Sequence, residues 1–170
     1  MKLLQRLFSP APDQRRQLRP LWSWVVATAR DPAWYRDCGA ADTLEGRFDM
    51  VSTVLAVVML RMERTPALAR LTGPLTEIFV EEMDGQMRQS GVGDLMVGKQ
   101  IGRLMASLGG RVGAYRAALA ADGGELEQAI LRNVTLADEN RAGAAATRLR
   151  ALWERLRATG DETLMAGDLA

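Results

Sequence analysis

Histidine is absent from this chain of 170 residues. That removes the commonest general base at neutral pH and the commonest metal ligand. Cysteine occurs once, at Cys38, which forbids an internal disulfide and suits a reducing compartment. A lone thiol with no histidine to activate it is read as packing or indifferent rather than reactive. Aromatic residues are only 5% of the chain, and Ile and Tyr are scarce. Ala, Leu, Arg, Met and Glu dominate instead, a composition that favours helix. No run is long enough to cross a bilayer. The longest uncharged stretch, Met50 to Leu60, has 11 residues against the roughly 20 required. The opening "MKLLQRLF" begins like a secretion signal, but Gln5 and Arg6 interrupt it and Pro10 and Pro12 follow.

What is present fits one soluble domain: 48% hydrophobic and 25% charged residues, in a length that buries its own core. The net charge of +1 is unevenly spread. Residues 1–36 carry seven Lys/Arg against Asp13 and Asp31, whereas residues 37–96 carry ten acids against five Arg. A chain-wide basic footprint is missing, so no specific nucleic-acid partner is expected.

Nearly every segment carries helical periodicity. Pro20 is expected to open the first helix, "RPLWSWVVATAR", which stops at Asp31-Pro32, and Asp31 caps a short turn, "DPAWYRD". "DTLEGRFDMVSTVLAVVMLRMER" reads as one long helix. Val51, Val54, Val57 and Val58 also suit a strand, but no other segment supplies a partner strand. "TPALARL" is short. "PLTEIFVEEMDGQMRQSG" places Leu75, Ile78, Phe79, Met83 and Met87 on one stripe, with Glu77, Glu81, Asp84 and Arg88 opposite. Asp94 is expected to cap "LMVGKQIGRLMASLGG", burying Leu95, Ile101, Leu104, Met105 and Leu108. "RVGAYRAALA", "DGGELEQAILRNV" and "DENRAGAAATRLRALWERLRA" complete the set. The architecture expected is a single all-α domain of six to eight helices. Its parts are a basic, apolar segment over 1–12, a helical body over 13–158 and a flexible C-terminal tail over 159–170.

"GVGDLMVGKQ" contains Gly-x-x-x-x-Gly-Lys, from Gly93 through Gly98 to Lys99. A phosphate-binding loop needs a buried strand before it and Ser or Thr after the lysine. Here an amphipathic helix precedes it and Gln100 follows. The nucleotide reading fails, and a tight helix–helix turn remains, in which Gly91 and Gly93 supply special backbone angles. The acids Glu77, Glu81, Glu82, Asp84 and Asp94 read as a solvated helix face, since no histidine or alternating carboxylate loop accompanies them.

"FVEEMDGQMRQSGVGDLMVGKQIGRLM" closely resembles the signature of the ubiquinol–cytochrome c chaperone family, assembly factors for complex III in mitochondria and alphaproteobacteria. The pattern is an acidic helix, an Arg before Gly-Val-Gly-Asp, and a basic residue leading the next helix. Here these are Glu81, Asp84, Arg88, Gly91, Val92, Gly93, Asp94 and Lys99. Asp31-Pro32 with Tyr35, "DTLEGRF" (Asp42 to Phe48, including Arg47), Arg61, "GRVGAY" (Gly110 to Tyr115) and Arg132-Asn133 match in order, so the resemblance spans roughly residues 20–155. The family often has an aromatic before the later Gly-Arg, where this chain has Gly109.

The resemblance implies a non-enzymatic, cofactor-free chaperone that binds newly made cytochrome b and promotes biogenesis of the ubiquinol–cytochrome c reductase. The ribosome or an accessory assembly factor is a further implied partner. Tyr35, Asp42, Arg47, Glu81, Asp84, Arg88, Gly91, Gly93, Asp94 and Lys99 are the candidate partner-binding residues. The other reading is a helical adaptor for a different membrane protein or translation component. Methionines on apolar faces (Met59, Met62, Met83, Met87, Met96, Met105) are read first as core, with a few able to line an adaptable groove. Leu3, Leu4, Leu7 and Phe8 with Lys2 and Arg6 give an expected weak membrane-surface contact through residues 1–9. The expected location is cytoplasmic, peripheral at the inner membrane.

Overall fold

A computed structural model describes residues 12–91 and 93–169 of the chain. The expected membrane contact of residues 1–9 and the expected burial of Leu95 lie outside the residues and side chains described.

The helices are α1 (Pro12–Ala29), α2 (Pro32–Arg36), α3 (Leu44–Met62), α4 (Pro66–Ala69) and α5 (Thr72–Gln89), then α6 (Asp94–Ala120), α7 (Glu125–Asn133), α8 (Ala142–Ala158) and α9 (Asp161–Ala166). A 3-10 turn, Glu139–Arg141, leads into α8. The protein is all-α, as its periodicity indicates. Six of these helices have nine or more residues, and α2, α4 and α9 are the short ones. No helix among the described residues is long and apolar enough to cross a membrane.

Helix α3 is the axis. Val54, Leu55, Ala56, Val57 and Val58 are all fully buried, so the helix is enclosed on every side rather than along one stripe. That is why its valine-rich run also suits a strand: β-branched residues tolerate helix when tertiary contacts surround them. Thr43 caps its start, accepting from the Gly46 N–H at 3.1 Å. Helices α1, α5, α6 and α8 pack around it. The stripe of α5 is as expected, with Leu75, Ile78, Phe79, Met83 and Met87 buried. Trp22 of α1 meets Phe79 edge-on, with ring centroids 6.2 Å apart.

The end of α1 shows how local sequence closes a helix. Asp31 accepts from the Ala33 N–H at 2.9 Å, and Pro32 begins α2. Trp34 Nε1 then donates to the Thr28 carbonyl and the Tyr35 hydroxyl to that of Ala29, both at 2.9 Å. The Thr28 and Ala29 carbonyls at the helix end thereby gain partners in the aromatics that follow.

Several boundaries differ from the sequence expectation. Pro20 lies inside α1, which begins at Pro12. The hydrogen bond it forgoes is outweighed by burial of Leu18, Leu21 and Val25 on both sides of it. Helix α5 begins at Thr72 and takes Gly73-Pro74 into its first turn. Helix α6 runs unbroken through Gly109-Gly110, where two helices were expected. Val97, Leu108, Val112, Tyr115 and Ala118 form one buried stripe across the glycines, and burial overrides their low propensity. That stripe leaves Met105 exposed, contrary to expectation. Residues 159–169 do not trail away. They form α9, bury Leu164 completely, and bring the Leu169 carbonyl to Trp24 Nε1 at 3.3 Å.

Two buried arginines close the body. Arg61 of α3 donates to the Leu156 carbonyl at 2.9 Å and to the Thr159 carbonyl and Asp161 at 2.7 Å, capping α8 and holding α9. Arg111 of α6 donates to the Asn133 carbonyl at 3.0 Å and to Ser107 Oγ at 2.7 Å, and pairs with Asp49 of α3. Asp49 also accepts from the Thr135 N–H at 2.9 Å and hydroxyl at 2.7 Å. An isolated bridge between Ala40 and Leu136 ties the two nearby linkers together.

Candidate functional site

The ten candidate residues fall into separate places. At the α5–α6 turn, the Arg88 guanidinium donates to both carboxylate oxygens of Asp84, one turn back, at 2.7 and 3.3 Å. It also donates to Asp94 at the start of α6. One side chain thus spans the turn. These neighbours hold the guanidinium more firmly protonated than usual, first through the Asp84 hydrogen bond and then through its charge. Arg88 is about half exposed and Asp94 85% exposed, so this bridge is set in water, where ion pairs contribute little to stability. What it does is fix the orientation of three charges on a surface.

Gly91 takes φ +81°, a left-handed conformation that ends α5 without a Cβ penalty. Gly93 does not need to be glycine for its backbone: φ −66° and ψ 149° are open to any residue. It occupies the cap position expected for Asp94, and Asp94 instead opens the first turn, where a carboxylate suits the helix dipole. Glu81 faces elsewhere. It pairs with Arg15 of α1 at 2.9 Å, beside Glu77 at 3.4 Å, while Glu82 pairs with Arg19 at 2.9 Å, bracing α1 to α5. Lys99 is exposed on α6, outside the Arg88 bridge.

Tyr35, Asp42 and Arg47 come together at a second place. With Arg30, Pro32 and Arg36 they line an open cleft of about 690 Å³. Arg47 Nε donates to Asp42 at 2.7 Å. Burial, and then the Asp42 charge, push the Tyr35 phenol above its ordinary value. It serves as a donor to Ala29. Nothing among these groups is a poised nucleophile. Cys38 is buried, and desolvation pushes its thiol upward, which suits a packing role.

A third feature draws on α3, α5 and α6. Leu44 and Phe48 of α3, Met87 of α5 and Leu104 of α6 enclose a groove of about 500 Å³, with Gln100, Arg103 and Ser107 along its α6 side. Sequence reasoning took "DTLEGRF" as a motif without recognising Leu44 as an exposed apolar side chain. Arg111 and Asp49 were also missed as a pair. The available signal was charge out of place: Arg111 sits on the stripe of Leu104, Leu108 and Tyr115, and Asp49 between Phe48 and Met50.

Other motif residues act within the fold. A Cβ on Gly46 would lie 2.0 Å from the Ala41 carbonyl oxygen, so only glycine admits that approach. The Tyr115 hydroxyl meets Thr53 Oγ1 at 3.1 Å in the core. Arg61, Arg111 and Asn133 belong to the helix-end clamps already described.

The crystal structure of the Cbp3 homolog from Brucella abortus superposes on the chain with a TM-score of 0.79. Sequence identity is 31%, over 99% of this chain and 94% of that one. No curated protein sequence matches the chain significantly. The sequence profile for the ubiquinol-cytochrome C chaperone matches residues 36–170, taking in the Arg88 bridge, the Asp42–Arg47 pair, the groove and the buried clamps. The chain belongs to the ubiquinol-cytochrome C chaperone family.

Proposed function

We propose that this protein binds newly made cytochrome b and promotes its assembly into the ubiquinol–cytochrome c reductase, by binding and without catalysis. Family membership over residues 36–170 carries the reading. The chemistry of the chain agrees with it. There is no histidine, the thiol is buried, and the tyrosine phenols are held as hydrogen-bond donors or packed in the core. The Asp84–Arg88–Asp94 bridge and the Tyr35–Asp42–Arg47 cleft are the polar surfaces offered to a partner. A peripheral position at the membrane through residues 1–9 belongs to the same reading.

The experiment is a cross-linked pull-down of the tagged protein from its own host, with partners identified by mass spectrometry. Enrichment of cytochrome b without the other mature subunits of the complex supports capture early in assembly. A reproducible, unrelated set without cytochrome b overturns the reading in favour of a helical adaptor.

A further inference from the structure

We infer that the groove between the start of α3 and the first half of α6 receives an apolar helical segment of the membrane-protein client. This rests on the client-binding reading above.

Among the described residues only Leu44, Met96 and Met105 expose large hydrophobic side chains, and Leu44 and Met96 are nearly half exposed. Leu44 lies on the lip of this groove. Met96 lies one turn before Gln100, which lines it, on the same flank of α6. The buried Phe48 and Met87 and the half-buried Leu104 supply an apolar floor. The flank from Met96 to Ser107 extends about 16 Å at 1.5 Å per residue, which accommodates roughly three turns of a docked helix. Methionine beside fixed leucine and phenylalanine suits clients whose side chains vary along their length.

Charge selects the kind of helix. Lys99 and Arg103 stand exposed one turn apart along that flank, and neither has an ion-pair partner among the described residues. Like charges at this spacing slightly destabilise a helix on their own, and a carboxylate laid between them reverses the sign. The other lip carries Glu45, so the groove has opposite signs on its two sides. The occupant is therefore an apolar helix with an acidic group on the side facing α6. A wholly apolar segment leaves the two cations unanswered, and a polar one leaves Leu44 and Met96 in water.

The test places a photo-crosslinking phenylalanine analogue at Leu44, at Met96 or at Glu162, in the full chain and in its own host. Glu162 lies on α9, beside Asp161, which Arg61 holds near the far end of α3 from Leu44. Cross-links to the membrane client from Leu44 and Met96, well above those from Glu162, are the expected result. Reversing charge in Lys99→Glu/Arg103→Glu should lower the Leu44 yield by about tenfold or more, with melting unchanged. Equal yields at all positions, cross-linked dimers of this chain, only soluble proteins, or indifference to the charge reversal would each overturn the groove. If the client is still pulled down in those cases, the chaperone reading survives. Its absence from both the cross-links and the pull-down removes that reading as well.

Discussion

Arg111 and Asp49 meet inside the protein although 62 residues separate them, and their side chains retain only 4% and 16% of their exposure. Each has further partners: Arg111 reaches the carbonyl that ends α7, and Asp49 takes the N–H and hydroxyl of Thr135. The pair therefore fixes where α7 ends against both α3 and α6. Removing one member leaves the other charge desolvated and unanswered. Asp49→Ala should lower unfolding free energy by about 3–5 kcal/mol in urea titration. The double replacement Asp49→Leu/Arg111→Met should recover part of that loss. A single variant as stable as the wild type would show that water reaches the pair.

The Arg88 bridge predicts the opposite behaviour. Arg88→Glu breaks both of its contacts on an exposed surface, so the melting temperature should stay within about 2 °C of wild type. Client capture should fall, as it should for Asp94→Arg. Loss of cooperative unfolding in either variant would make the bridge a structural brace and move the partner surface elsewhere.

Glycines separate by what surrounds them. Gly46→Ala drives a methyl group into the Ala41 carbonyl and should cost about 1–3 kcal/mol or more. Gly109→Ala and Gly110→Ala place a methyl group in open space on a continuous helix and should each stabilise by roughly 0.5–1 kcal/mol. Thermal denaturation of the three variants distinguishes the cases. Destabilisation at 109 or 110 would mean that α6 is interrupted there.

Leu164 anchors the C-terminal helix. Leu164→Ala should cost about 2–5 kcal/mol and shift part of the tryptophan emission to the red, because Trp24 is held by the Leu169 carbonyl. Unchanged emission would show that α9 docks without Leu164.

Tyr115 is expected to contribute to the loss of stability at alkaline pH. Burial, the largest cause, raises its phenol above the ordinary value of about 10, and Thr53 and Arg111 oppose the shift. The unfolded chain then releases that proton first. Stability is fully present below the unfolded value and is lost as pH rises toward the folded one. Tyr115→Phe should flatten this decline in urea titrations at alkaline pH. A residual slope is expected from Tyr35 and Cys38, which burial shifts in the same direction. An unaltered slope would show that Tyr115 ionises freely.

Legibility in the sequence followed the range of the forces involved. The apolar stripe of α5 and the Asp31 cap depend on neighbours within a turn or two. The unbroken α6 and the docked C-terminus depend on surfaces brought in from elsewhere, which outweigh glycine and a weak local pattern. Among the candidate residues, Asp84, Arg88 and Asp94 were found together because they flank one turn. Glu81, from the same motif, pairs instead with Arg15 of α1, a contact between distant segments that local spacing does not show.

By itself the sequence determined an all-helical body, one long helix with an uncharged middle, a chain without histidine, and the motifs of its family. Periodicity and residue chemistry are properties of the chain before it folds. Only the tertiary structure decided which charges brace, which are buried and which stay exposed. A guanidinium such as that of Arg61, Arg88 or Arg111 has the same intrinsic chemistry at every position. Its role is set by desolvation and by carbonyls or carboxylates that folding brings from distant segments.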